Sequence, residues 1–162
     1  MVAIRCTARL LARVGLPQEV SGPTTTVLGD WYATHLGVRR QRFVLLISEH
    51  SRLPVLMAGR DLKHLAENFP NALAPVLWGL GIDAVLVNRE VEATRGAVIA
   101  KTNSRSHLGT LTDFANLLGW QLQGQADPDL VQAAVELAHT PMAASTRQAF
   151  FPDQLTRRLL EG

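Results

Sequence analysis

The chain has 162 residues, 47% of them apolar and 19% charged, with a mean hydropathy of +0.09, which excludes an intrinsically disordered chain and suits a single domain spanning residues 1–162. Twelve Gly and eight Pro are too few for a collagen-like or linker-like chain, and one Cys excludes an internal disulfide and any site built on a Cys pair. The net charge of +2 is too small to define a class, and no apolar run reaches the roughly 18 residues needed to cross a bilayer.

Val2–Cys6 reads as a short first strand. Arg9–Val14 carries Leu10, Leu11 and Val14 at helical spacing and stops at Gly15, so a short helix is expected. Residues 16–26, with two Pro, a Gly and three consecutive Thr, read as a loop. Asp30–Leu36 is expected to be a helix capped by Asp30 and ended by Gly37. Arg42–Ser48 is a near-continuous apolar run, as in a strand covered on both faces. Leu53–Ala58 is its returning partner, with Pro54 near the start or outer edge because proline cannot donate to a ladder.

Asp61 is the expected N-cap of the next helix, whose stripe runs from Leu62 through Phe69 to Leu80. Pro70 and Pro75 predict a kink there. Ala84–Val91 and Gly96–Lys101 read as a second hairpin around Glu92–Arg95. Thr102–Ser106 is then a polar loop, and His107–Leu118 a helix stopped by Gly119. Asp127-Pro128 marks a further helix start, Pro141 closes that helix, and Pro152–Leu160 is a terminal helix. The expected fold is α+β: a short N-terminal strand plus two hairpins, about five strands in one sheet, packed with about six helices.

The common catalytic and cofactor signatures are missing. There is no P-loop, no G-x-S-x-G, no H-E-x-x-H and no G-x-G-x-x-G, and the five His are scattered, so no cofactor and no metal site are expected. One segment stands out by its chemistry: Lys101, Thr102, Asn103, Ser104, Arg105, Ser106 and His107, where a strand hands over to a helix. Free amides at a helix start, hydroxyls and a guanidinium are groups that hold a phosphate or carboxylate. Two uses stay open for it. It grips an anion, or Ser106 caps the helix, Asn103 and Ser104 bond the turn's own backbone, and Arg105 pairs with Glu90 or Asp113. Asp30 and Trp31 are further candidates, beside the bland roles of helix cap and core anchor.

Residues 1–60 hold eight arginines against three acids, a net +5, and the remainder is net −3. The cluster Arg39, Arg40 and Arg42 lies in the basic part, which is therefore a candidate for an acidic partner. The N-terminal residues lack the order of a signal peptide. With a lone thiol, this leads us to expect a cytoplasmic protein.

Arg5-Cys6-Thr7, Leu28-Gly29-Asp30-Trp31-Tyr32-Ala33, Ser104-Arg105-Ser106-His107-Leu108-Gly109 with Asp113-Phe114, and Thr140-Pro141-Met142 occur in that order. In these segments, spanning about residues 2–152, the chain resembles a bacterial domain family of unknown function. Some of its members accompany plasmid- or transposon-encoded reading frames. The resemblance implies no activity, cofactor or catalytic residue, and it raises the expectation of a nucleic-acid or toxin–antitoxin setting. Three readings follow. The first is a non-enzymatic binding or regulatory protein whose basic N-terminal third meets an acidic partner, with nucleic acid foremost. The second is a metal-independent phosphodiesterase, such as an RNase-like toxin, using Arg105 and His107. The third is a structural subunit of a homodimer.

Overall fold

Residues 1–60, 62–143 and 149–162 are described by the computed structural model. Five strands form one mixed sheet: β1 (Ala3–Cys6), β2 (Trp31–Val38), β3 (Gln41–Ser48), β4 (Pro54–Ala58) and β5 (Val98–Lys101), in the order β4-β3-β2-β1-β5. β1 runs parallel to both neighbours, with Ile4 opposite Trp31 on one side and Ile99 on the other. β2, β3 and β4 form an antiparallel meander. Among the described residues six α-helices accompany the sheet: α1 (Ala8–Val14), α2 (Leu65–Gly79), α3 (Ala84–Ala93), α4 (Arg105–Gln121), α5 (Leu130–Ala138) and α6 (Pro152–Glu161). Two-residue strands β6 (Met142–Ala143) and β7 (Ala149–Phe150) pair separately. The fold is α+β.

Alternation along the central strands sets the layers. Trp31, Ala33, Val44, Leu46 and Val55 face one side, with Leu10 of α1, Phe69, Leu73 and Leu77 of α2, and Val87 of α3. Tyr32, Leu36, Phe43, Leu45, Ile47 and Leu56 face the other, under Leu111, Phe114 and Leu118 of α4. α5 belongs to both layers. Its Ala134 and Ala138 join the first cluster, and Ala133 and Leu137 join the second.

α2 keeps its helical course although Pro70 and Pro75 both lie inside it. An interior proline costs about 3 kcal/mol, and each well-buried large apolar side chain returns about 1.5–3 kcal/mol. Leu65, Phe69, Leu73, Val76 and Leu77 are all buried, so packing outweighs the missing backbone hydrogen bonds.

Two expected elements are of the other kind. Residues 30–36 are not a helix: β2 occupies Trp31–Val38, hydrogen-bonded to β1 and β3. Both faces of this strand are covered, so no polar alternation marked it as one. Residues 84–91 are not a strand: they form α3, capped by Asp83, whose carboxylate accepts the Val85 amide at 3.3 Å. Val87, Glu90 and Val91 are buried at helical spacing, which the Ala-Val-Leu-Val run concealed. The expected hairpin over 42–48 and 53–58 is β3–β4, whereas the second, over 84–91 and 96–101, does not form: β5 pairs with β1, and the other antiparallel pair is β2–β3. α4 starts at Arg105 rather than His107, and Asp129 rather than Asp127 caps α5. The expected cap Asp61 lies outside the described residues.

Candidate functional site

Two groups of polar side chains lie at opposite ends of the β2–β3 ribbon. The first surrounds the start of α4. Ser104 is its N-cap, accepting the His107 amide at 3.3 Å. The His107 ring stacks on Tyr32, with centroids 4.1 Å apart and planes 12° from parallel. Its Nε2 lies 2.9 Å from the Glu49 carbonyl, which can only accept, so Nε2 carries the hydrogen. Nδ1 is then the acceptor, and the Ser104 hydroxyl donates to it at 2.6 Å. Burial, with Arg52 adding, holds the ring below the usual histidine pKa, against the opposing hydrogen bond to Glu49. A neutral ring of fixed tautomer results.

The Tyr32 hydroxyl donates to Asn103 Oδ1 at 2.5 Å. Arg52 Nη2 donates to Ser106 Oγ at 2.9 Å. Arg52 holds a left-handed backbone (φ +61°), and its Nη1 is buried with no hydrogen-bond partner among the described residues. Arg5 Nε meets Asp30 Oδ2 at 3.2 Å, and Arg5 Nη1 donates to the Lys101 carbonyl at 3.3 Å. Asn103, Ser104, Ser106 and His107 thus hold the junction itself together. Lys101 and Arg105 are exposed and in no ion pair among the described residues. Thr102 donates its amide to Cys6 O at 3.3 Å.

Asp30 does not cap a helix. Its Oδ1 accepts the Ala3 amide at 3.0 Å, which ties β1 to the entry of β2. Trp31 is fully buried, edge-on to Phe69 with centroids 4.8 Å apart. Glu90 does not meet Arg105. Its carboxylate accepts the amides of Val27 at 3.1 Å and Leu28 at 3.0 Å. Burial pushes its pKa up, and the two amide bonds oppose that. Asp113 is exposed on α4. The Cys6 thiol is buried and pushed up to about 12, so it is protonated and inert at neutral pH.

The second group is cationic. The β2–β3 turn carries Arg39, held at φ +56°, and Arg40, and Arg42 follows on β3. The Arg42 carbonyl accepts the Gly59 amide at 2.8 Å, which brings in the end of β4 and the exposed Arg60. Arg13 of α1 lines one depression with Gly59, Leu62, Lys63 and His64. His35, only 7% exposed, sits on β2 with Nε2 unpartnered among the described residues. Burial first, then Arg13, Arg42 and Arg9, lowers its pKa, so it is neutral at pH 7. Among the described residues, arginines form ion pairs only at Arg5–Asp30, Arg95–Glu92 and Arg157–Glu161. The cations at this end have no carboxylate partner in that set.

Sequence reasoning singled out Arg39, Arg40 and Arg42. Arg9, Arg13 and Arg60 entered only as part of the basic first third and Lys63 not at all, since these residues come together through strand pairing and the packing of α1. Sequence reasoning also missed Tyr32, Glu49 and Arg52 around His107. Reading Trp31–Val38 as a strand would have placed Tyr32 on the face opposite Trp31 and exposed that link.

No helix among the described residues is long and apolar enough to cross a membrane, and no three His, Cys, Asp or Glu side chains there gather at metal-ligating distance. No curated protein and no solved structure matches the chain. The model of one family, a domain of unknown function designated DUF6933, matches residues 3–155, from β1 into α6, and the chain belongs to that family.

Proposed function

We propose that this is a non-enzymatic binding protein whose basic end of the sheet takes an acidic partner, with nucleic acid the partner whose repeating charge fits it best. The observation that carries the reading is convergence. Arg9, Arg13, Arg39, Arg40, Arg42 and Lys63 come from separate stretches of chain, are all exposed, and lack carboxylate partners among the described residues. Like charges brought together repel, and a polyanion relieves that repulsion while releasing its own counterions. The junction at α4 supports binding over catalysis, since both ring nitrogens of His107 are already engaged, by Ser104 and the Glu49 carbonyl, while Arg105 is exposed.

The test is a titration with labelled nucleic acid at rising salt. Binding at low salt should weaken steeply, and replacing Arg13 by Ala should reduce the slope of log K against log salt by about 1. No binding at low ionic strength refutes the reading. A light-scattering mass of two chains that blocks these arginines would favour the homodimer instead.

A further inference from the structure

His35 stands where the core has no need of a titratable ring. It lies on the face of β2 that also carries Trp31 and Ala33, and opposite Val44 of β3. The residue is only 7% exposed, and its Nε2 has no hydrogen-bond partner among the described residues. A buried nitrogen left unmet costs stability, which an aliphatic side chain at this strand position would avoid.

The groups around it are cations from separate elements. Arg42 pairs with Gly37, two residues along β2, so its side chain leaves β3 on the His35 face. α1 covers the same face through Leu10, and its Arg9 and Arg13 join Arg42 in opposing protonation of His35. Gly59, whose amide bonds the Arg42 carbonyl, walls the depression that Arg13, Lys63 and His64 also line. Lys63 and His64 come from the short helical turn Leu62–His64. His64 is exposed, with Nδ1 3.2 Å from Glu67 Oε2. Among the described residues no carboxylate pairs with Arg9, Arg13 or Arg42. An anion seated on these guanidiniums cancels the field that keeps the ring neutral, and the ring can then gain a proton.

We propose that one phosphate of the acidic partner seats between Arg9, Arg13 and Arg42, and that His35 takes up a proton as it binds. This inference rests on the binding function proposed above. By linkage, an anion that raises the proton affinity of the ring is itself held more tightly once the ring is protonated, so affinity rises as the pH falls. A single proton limits that gain to about tenfold per pH unit.

The experiment titrates the His35 ring by proton NMR, alone and with a DNA duplex of about 20 base pairs, and measures duplex affinity from about pH 7.5 to about pH 5.5 at fixed low ionic strength. The duplex should raise the His35 pKa, and affinity should be about 3- to 10-fold higher at the acid end. His35→Gln should still bind and lose most of this pH dependence, whereas His64→Gln should keep it. Sulfate, whose charge is constant over this range, is compared with chloride at equal ionic strength. A rise in the His35 pKa with sulfate supports a seat for a single oxyanion, and a rise with the duplex alone supports a seat for the phosphate of a polymer. Duplex binding that leaves the His35 pKa unmoved, or a pH dependence that disappears with His64→Gln instead, overturns the proton-coupled seat and leaves polyanion binding standing. Failure of the duplex to bind at low salt refutes the function itself.

Discussion

Gly29 occupies a backbone position that few other residues could fill. Its φ is +85°, and a Cβ there would lie 2.6 Å from Glu49 Oε2 and 2.8 Å from both Glu49 Cβ and His50 Cδ2. The close approach lets Glu49 accept the Asp30 amide at 2.9 Å. Gly29→Ala should therefore lower unfolding stability by about 2–4 kcal/mol, read by urea denaturation, because backbone strain and overpacking add. Glu90 offers a second residue-scale test. It is 2% exposed, and its two oxygens accept two amides. Gln would turn one acceptor into a donor facing an N–H, so Glu90→Gln should cost about 1–3 kcal/mol at neutral pH. His35 and His107 set a pH dependence. Both have folded-state pKa values below the usual 6.5, so the unfolded chain binds more protons than the folded one. Stability should be fully present above about pH 6.5 and decline as the pH falls below it. Thermal melts of the wild type and His35→Phe between pH 5 and pH 8 check this, and the variant should show the shallower decline.

At the scale of elements, Ser104 joins the cap of α4 to the state of His107. Ser104→Ala should cost about 1 kcal/mol through the lost cap. It should also let the His107 pKa move back toward its ordinary value, since the hydroxyl no longer donates to Nδ1, and a ring-proton NMR titration reads that shift. The strands and helices were legible to unequal degrees. β3 and α2 announced themselves by unbroken or 3.6-spaced apolar residues, although Pro70 and Pro75 inside α2 argued for a kink. β2 and α3 did not, because their kind is settled by distant partners. Asp30 and Gly37 look like helix punctuation, yet the hydrogen-bonding edges of β1 and β3 claim the segment between them. Ala84–Val87 has strand-like residues, but Asp83 caps it and α2 packs against it. At the α4 junction, the segment 101–107 was visible as a polar run. Its partners Tyr32, Glu49 and Arg52 were not, since they lie on β2 and around the β3–β4 turn.

Across the whole molecule, charge is sorted by folding more than by sequence order. Arg5 lies in the basic third yet is paired with Asp30, while Lys63 lies beyond that third yet stands with the cations lining the depression beside Arg13. Reversing Arg13 to Glu should leave stability within about 0.5 kcal/mol, since the site is exposed. It should raise the His35 pKa by removing one of the three arginines that oppose its protonation, and an NMR titration of the His35 ring measures that.

β1 takes its second neighbour from β5, which ends at Lys101. A ribosome therefore delivers most of the polypeptide while one margin of β1 still lacks its mate. Unmated margins invite association with other chains. Stalled nascent chains cut off before Val98 should bind chaperones and be digested quickly by protease, and full resistance should appear only once β5, α4 and α5 have all emerged, since α4 and α5 cover the second face of the sheet. Biosynthesis of this protein is thus most vulnerable in the interval before its fifth strand emerges.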